Sequence, residues 1–201
     1  MIKVAPFIIS IILFLSPFIS KGENRGEFQT VAPQYGWEHQ LRLKTNIIPW
    51  AATIANLGAE YVIARKWSTG INVWFCPWII SHEYSVKTAA ILPEARFWFK
   101  DNTKGSFINL HLNVAWFNVR FKDYRYQDKG MPLLGAGMSY GYRIDINPKW
   151  GMEFEIGAGV SKAKYDRYYN INNGAFKDSR STTYVGLDRL SITFSYNLCD
   201  L

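Results

Sequence analysis

The sequence predicts an all-β fold, an eight-stranded antiparallel up-and-down transmembrane β-barrel with a polar, side-chain-filled lumen. Three observations predict it. Apolar and polar residues alternate strictly in segment after segment. The N-terminus carries an apolar stretch of export type. After that stretch no apolar run approaches the ~20 residues of a helical span, and the longest, residues 73–80, is interrupted by Pro77. A chain of this kind either stays in water or crosses a membrane as strands.

The N-terminal stretch is read as a signal peptide. Lys3 gives a short basic start, and residues 4–19 are apolar apart from Pro6, Ser10, Ser16 and Pro17. Ser20-Lys21-Gly22 then offers small residues where a signal peptidase cuts, which places cleavage after Gly22. No Cys follows the run, which argues against a lipoprotein anchor. The expected organisation is a signal peptide over 1–22, a periplasmic segment over 23–39 and the barrel over 40–201. Aromatic residues at 16% are too abundant for disorder, and charged residues at 19% are too many for a helical membrane bundle.

The strands follow in order. Residues 41–48, 57–63, 66–76 and 88–100 alternate less regularly. Residues 108–116, 136–146, 150–160 and 190–198 alternate without a break. In the last, Leu190, Ile192, Phe194, Tyr196 and Leu198 interleave with Ser191, Thr193, Ser195 and Asn197. Eight strands make the smallest common membrane barrel, with an interior just wide enough for side chains to fill. Trp50, Trp67, Trp116, Trp150, Tyr61, Tyr142 and Tyr196 lie near strand ends, as interfacial girdles require. Short turns are expected at Arg65-Lys66, residues 101–105 and Asn147-Pro148-Lys149. Longer segments follow the odd-numbered strands, so both chain ends face the periplasm.

The alternation aims Arg42, Lys44, Glu60, Glu94, Arg96, Arg143, Asp145, Glu153 and Glu155 into the lumen, with His111 as its histidine. Four basic against five acidic groups suit a sealed, ion-paired plug, whereas a pore would show one sign. With the turn at Asn147-Pro148-Lys149, Arg143 faces Glu153. With Trp98 opposite Phe107, Glu94 faces His111. Glu153 and Glu155 sit two apart on one face, as acid/base pairs do, but a structural network around Arg143 accounts for them. Gly135, Gly137, Gly141, Gly157 and Gly159 fall at period two, which suits clearing lumen space rather than cradling phosphate. His82-Glu83 lacks the second histidine of a zinc protease, and no dinucleotide fingerprint or nucleophile elbow occurs. No catalytic residue, metal site or cofactor is assigned.

Formal charge is +7. Without Lys3 and Lys21 it is 21 basic against 16 acidic residues, or +5. For an exported chain this points to outer-membrane lipid and lipopolysaccharide as partners, not nucleic acid. The excess sits in two outer loops: Arg120, Lys122, Arg125 and Lys129, then Lys162, Lys164, Arg167, Lys177 and Arg180. Tyr124, Tyr126, Tyr165, Tyr168 and Tyr169 are interleaved. Cys76 and Cys199 are expected at opposite ends of the barrel, too far apart for a disulfide.

Lys44-Thr45-Asn46, Asn56-Leu57-Gly58-Ala59-Glu60, Lys66-Trp67-Ser68 and Pro93-Glu94-Ala95-Arg96-Phe97-Trp98 occur in a characteristic order. The run Gly135-Ala136-Gly137-Met138-Ser139-Tyr140-Gly141-Tyr142, residues 150–159 and Lys164-Tyr165-Asp166 continue it. This order resembles a family of small outer-membrane barrels from Bacteroidetes-type bacteria, catalogued as a domain of unknown function, number 3575. The resemblance covers residues 41–198. It implies an outer-membrane barrel of unassigned activity, sometimes encoded beside fimbrial genes. The chain departs from the family in having no Cys over 166–183, and in Gly186-Leu187-Asp188-Arg189 where Gly-Pro-Thr-Lys is usual. The expected role is non-enzymatic, structural or adaptor, at the cell surface, with a surface-fibre or envelope protein as partner. The alternatives are an outer-membrane enzyme acting on lipid or polysaccharide, and a narrow pore.

Overall fold

The computed structural model describes residues 40–200 except 80, 82, 101–103, 172 and 173. The expected signal peptide over 1–22 and periplasmic segment over 23–39, His82, and most of the 101–105 turn lie outside the described residues.

The described residues form an antiparallel up-and-down sheet that closes in a ring. Its elements are β1 (Gln40–Asn46), α1 (Ile47–Ala51), β2 (Ala55–Ala64), β3 (Trp67–Ile79), β4 (Tyr84–Trp98), β5 (Gly105–Phe121), β6 (Tyr124–Asp128), β7 (Leu133–Asp145), β8 (Trp150–Tyr169) and β9 (Phe176–Asp200). Eight strands run β1 to β5, then β7, β8 and β9, and β9 pairs back with β1. The ninth, β6, is inserted between β5 and β8 at the end away from the short turns. That far end faces opposite the turn end, where Arg65-Lys66 and Asn147-Pro148-Lys149 lie. Register follows the alternation: Arg143 stands opposite Glu153, Trp98 opposite Phe107 and Glu94 opposite His111.

Three expectations need correction. First, the strand expected over 41–48 stops at Asn46 and gives way to α1. Asn46 caps that turn by accepting from the Ile48 amide, and Pro49 has no amide to donate to a sheet. The Asn56 side chain takes over as partner: its Oδ1 accepts from Asn46 N at 2.7 Å and its Nδ2 donates to Asn46 O at 2.8 Å. Second, the segments read as outer loops are mostly strand. Here β5 runs on to Phe121, β8 to Tyr169, and β9 starts at Phe176. Third, the strand count is nine, because β6 lies where a loop was expected.

The apolar phase switches faces along β5, and this explains the second miss. Leu110, Leu112 and Trp116 face out, whereas Phe117, Val119 and Phe121 fall on the inward parity beyond them. The same inversion runs through β8, where Ile156 and Val160 give way outside to Lys162 and Lys164, and inside Glu153 and Glu155 give way to Ala163 and Tyr165. Toward the turn end the ring is therefore apolar outside and charged within. Leu57, Met138 and Ile156 are 59%, 58% and 55% exposed, while Arg96 is 2% exposed. No described helix is long and apolar enough to cross a membrane.

An aromatic layer packs the turn end of the interior. Trp98 and Phe107 are fully buried with ring centroids 4.6 Å apart, and Trp98 Nε1 donates to Ser68 Oγ at 2.9 Å. The Arg96 guanidinium lies 4.4 Å above the Phe107 ring. Gly141 makes the room, since a Cβ there would stand 2.2 Å from that ring. Phe107→Ala is expected to destabilise the fold by about 3–5 kcal/mol through the cavity it leaves. Gly141→Val is expected to be at least as damaging. Denaturant unfolding followed by tryptophan emission checks both.

Candidate functional site

The buried polar interior is the most elaborate constellation in the molecule. Arg96, on β4, reaches four carboxylates: Glu153 at 2.7 Å, Glu94 at 3.0 Å, Glu60 at 3.1 Å and Glu155 at 3.4 Å. Lys44, on β1, reaches Glu60 at 2.6 Å, Glu153 at 3.1 Å and Glu94 at 3.4 Å. Arg143, on β7, donates to Glu153 at 2.8 Å and to Ser195 Oγ at 2.7 Å. Arg42 meets Glu60 at 3.5 Å and Gln40 at 2.9 Å. Six strands, β1, β2, β4, β7, β8 and β9, thus converge on one cluster.

Burial dictates this density. A charge taken out of water costs several kcal/mol unless paired and hydrogen-bonded. Glu153 has three cations around it, and Glu155 is held by Asn109 Nδ2 at 2.7 Å and by the Ser139 hydroxyl. Both carboxylates are thus held by ion pairs and hydrogen bonds within the network. Asp145, aimed inward by the alternation, lies at the mouth of the turn end and is exposed. There it bridges Arg143 at 2.8 Å and Lys104 at 3.2 Å.

Two interior charges were missed. Arg189 donates to Glu94 Oε2 at 2.6 Å and lies 3.6 Å from Glu155. Extending the Ser191, Thr193, Ser195 face by one step would have found it. Asp188 could not be found that way, because strict alternation turns it outward with Leu190. A bulge in the β8–β9 pairing, where Gly157 meets Arg189 and Ala158 meets Leu187, leaves Asp188 as the extra residue and lets it face in.

Asp188 supplies the partner of His111. The register opposes His111 to Glu94, yet His111 Nε2 bonds Asp188 Oδ2 at 2.9 Å, and Asn113 Nδ2 donates to the same oxygen at 3.3 Å. His111 Nδ1 and Asp188 Oδ1 have no hydrogen-bond partner among the described residues. Two glycines create the space: a Cβ on Gly159 would stand 2.1 Å from Asp188 Oδ2, and one on Gly137 2.4 Å from it. Gly151 likewise leaves room for the Arg143 guanidinium.

The far-end basic residues do not form one patch. By alternation and pairing, Arg120, Arg125, Lys162 and Lys164 face outward, with Arg125 stacked 4.7 Å over Tyr168. Lys122 occupies the β5–β6 turn, and Lys129 donates to Ser179 Oγ at 3.1 Å. Arg167, Lys177 and Arg180 turn inward instead. Arg167 forks onto Asp178, Arg180 Nε donates to Asp178 at 3.3 Å, and Lys177 Nζ donates to the Tyr124 hydroxyl at 2.7 Å. Among the described residues no group of three His, Cys, Asp or Glu side chains could hold a metal ion. Cys76 is buried and free.

The model of the family described as protein of unknown function (DUF3575) matches residues 14–198. The chain belongs to this family. No curated protein and no solved structure matches it. Within this family member, the interior network joins residues that lie far apart in sequence: Lys44, Glu60, Glu94, Arg96 and Glu153.

Arg96→Met is expected to cost about 3–5 kcal/mol, because four buried carboxylates lose a shared cation. Arg42→Met, which removes a longer contact from the edge of the cluster, should cost less. Parallel denaturation curves check the order. At the far end, Arg167 holds the Asp178 carboxyl down at about 2. The depressed value means that the clamp contributes fully above the ordinary Asp range near 4 and is lost as pH falls from about 4 through about 2. Asp178→Asn should remove that pH dependence. Backbone amide NMR of the β8–β9 tip between pH 6 and 2 reads it directly.

Proposed function

We propose that the chain is an eight-stranded outer-membrane β-barrel with a closed interior, acting as a non-enzymatic structural or adaptor protein at the cell surface. The observation that carries this reading is the inversion of polarity along β5 and β8. On β8 the outward apolar band runs from Trp150 to Val160, which matches the 9–11 residues of a membrane-crossing strand. Beyond it the outward residues are Lys162 and Lys164. A protein living wholly in water would bury such a band and expose the charges. On this reading the turn end and both chain ends face the periplasm, and the far-end sheet stands above the membrane near lipopolysaccharide.

The interior supports a plug rather than a passage. Its charges are of both signs and mutually paired, and the Trp98–Phe107 layer packs one end. His111 bonds a carboxylate rather than a hydroxyl or thiol, and the Ser139 and Ser191 hydroxyls that donate to Glu155 are buried with it in the ion-paired network, which favours a non-enzymatic role. The far-end extension gives a rigid surface that a fibre or envelope protein could grip. The outward Arg120, Lys162 and Lys164 suit lipid phosphates, each worth about 1 kcal/mol near an anionic surface.

The mature chain is expected to fold in detergent or lipid and to migrate faster before boiling than after it on gel electrophoresis. In planar bilayers it should give no steady conducting steps. A water-soluble folded monomer would sink the membrane assignment. Regular conductance steps would replace the plug by a pore.

A further inference from the structure

The far-end extension carries an open, cup-shaped pocket that neither the ion-paired network nor the apolar belt uses. Its volume is about 540 Å³, within the usual range of small-molecule sites. Its wall is almost wholly apolar, built from Phe117, Val119 and Phe121 of β5, Tyr126 of β6, Tyr165 of β8 and Tyr184 of β9. These residues share the inward parity, so the polarity inversion that ends the apolar belt outside creates this cup inside. The rings support one another: Tyr165 lies 6.0 Å from Tyr126 and 6.4 Å from Phe117.

Cations crown the cup. Arg180 stands opposite Tyr165 across the β8–β9 pairing, and Arg167 stands opposite Tyr126 across the β6–β8 pairing. Lys177 Nζ lies 4.0 Å from the Tyr124 ring centroid and 5.4 Å from that of Tyr169. Asp178 is the carboxylate ion-paired among them, and Arg167 already occupies it with both arms of its fork. Arg180 keeps a side chain 54% exposed, with most of its donors available. Asp128, on the same face of β6 as Tyr126, accepts from the Phe117 amide at 3.1 Å, so three cations stand against two carboxylates and the cup keeps one positive charge in excess.

We propose that this cup binds a single-chain fatty carboxylate, with its hydrocarbon among the aromatic rings and its carboxylate on Arg180 and Lys177. Charge complementarity selects the anionic head, and the arginine fork suits a carboxylate. The volume takes one chain, not the several chains of an envelope lipid. The site does not depend on the membrane assignment. It can be tested in non-ionic amphipol or, should the protein prove water-soluble, in plain buffer.

Equilibrium dialysis of the mature protein against radiolabelled laurate is the experiment. One saturable site is expected, with 1-dodecanol competing about tenfold more weakly than unlabelled laurate. Arg180→Gln combined with Lys177→Gln should weaken laurate by a similar factor. Ala163→Trp, which fills the cup, should abolish binding while heat-modifiable migration or the circular dichroism spectrum stays native. Absence of saturable uptake overturns the proposal. So does dodecanol competing as well as laurate with the charge variant unaffected, a result that needs no cavity mutant. Laurate displaced more strongly by lipopolysaccharide than by oleate would reassign the site to that lipid and overturn the fatty-carboxylate assignment.

Discussion

Arg96 is the interaction on which the interior depends. A ring of eight strands has no apolar core to fill it; its inward residues must satisfy one another. One guanidinium touching Glu60, Glu94, Glu153 and Glu155 ties β2 and β8 to β4, while Lys44 brings in β1, next to the strand that closes the ring. Closure and charge pairing are therefore coupled. Separating β1 from β9 would strand buried carboxylates, and misplacing the carboxylates would leave the ring without a filling.

Everything else inside is arranged around that cluster in layers. Toward the turn end lies the Trp98–Phe107 pair, which presses a ring face against the Arg96 guanidinium. Toward the far end come His111 and Asp188, and then the aromatic cup. Glycines on the inner face are the spacers: Gly141 admits Phe107, Gly151 admits Arg143, and Gly137 and Gly159 admit the His111–Asp188 pair. A narrow ring can hold long side chains only where the facing wall has none.

The far end follows a different rule. There β5, β6, β8 and β9 run beyond the apolar belt, expose polar residues outward and turn aromatic residues inward. If the ring sits in a membrane as proposed, this part stands in water and behaves as a soluble sheet with its own apolar face. That face is what makes a ligand site there physically reasonable, while the ion-paired middle offers none.

The sequence by itself determined the all-β class, the faces of the strands, the registers at the tight turns and most of the interior charges. The reason is that side-chain direction in a strand has period two, so a face is a local property. The opposition of Arg143 to Glu153 needed nothing beyond the Asn147-Pro148-Lys149 turn. Tertiary structure decided what is not local. Strand ends were misplaced because the apolar phase changes face at Phe117 while the backbone runs on unbroken. Asp188 escaped because one bulge reverses parity, and a bulge is set by how β9 pairs with β8, not by β9 alone. His111 was matched to Glu94 by register, but its bond is to a residue 77 positions away that only ring closure brings near. The basic residues of the far end were legible as a group. Their division into an outward set and an inward crown over an apolar cup required the strands that the sequence had presented as loops.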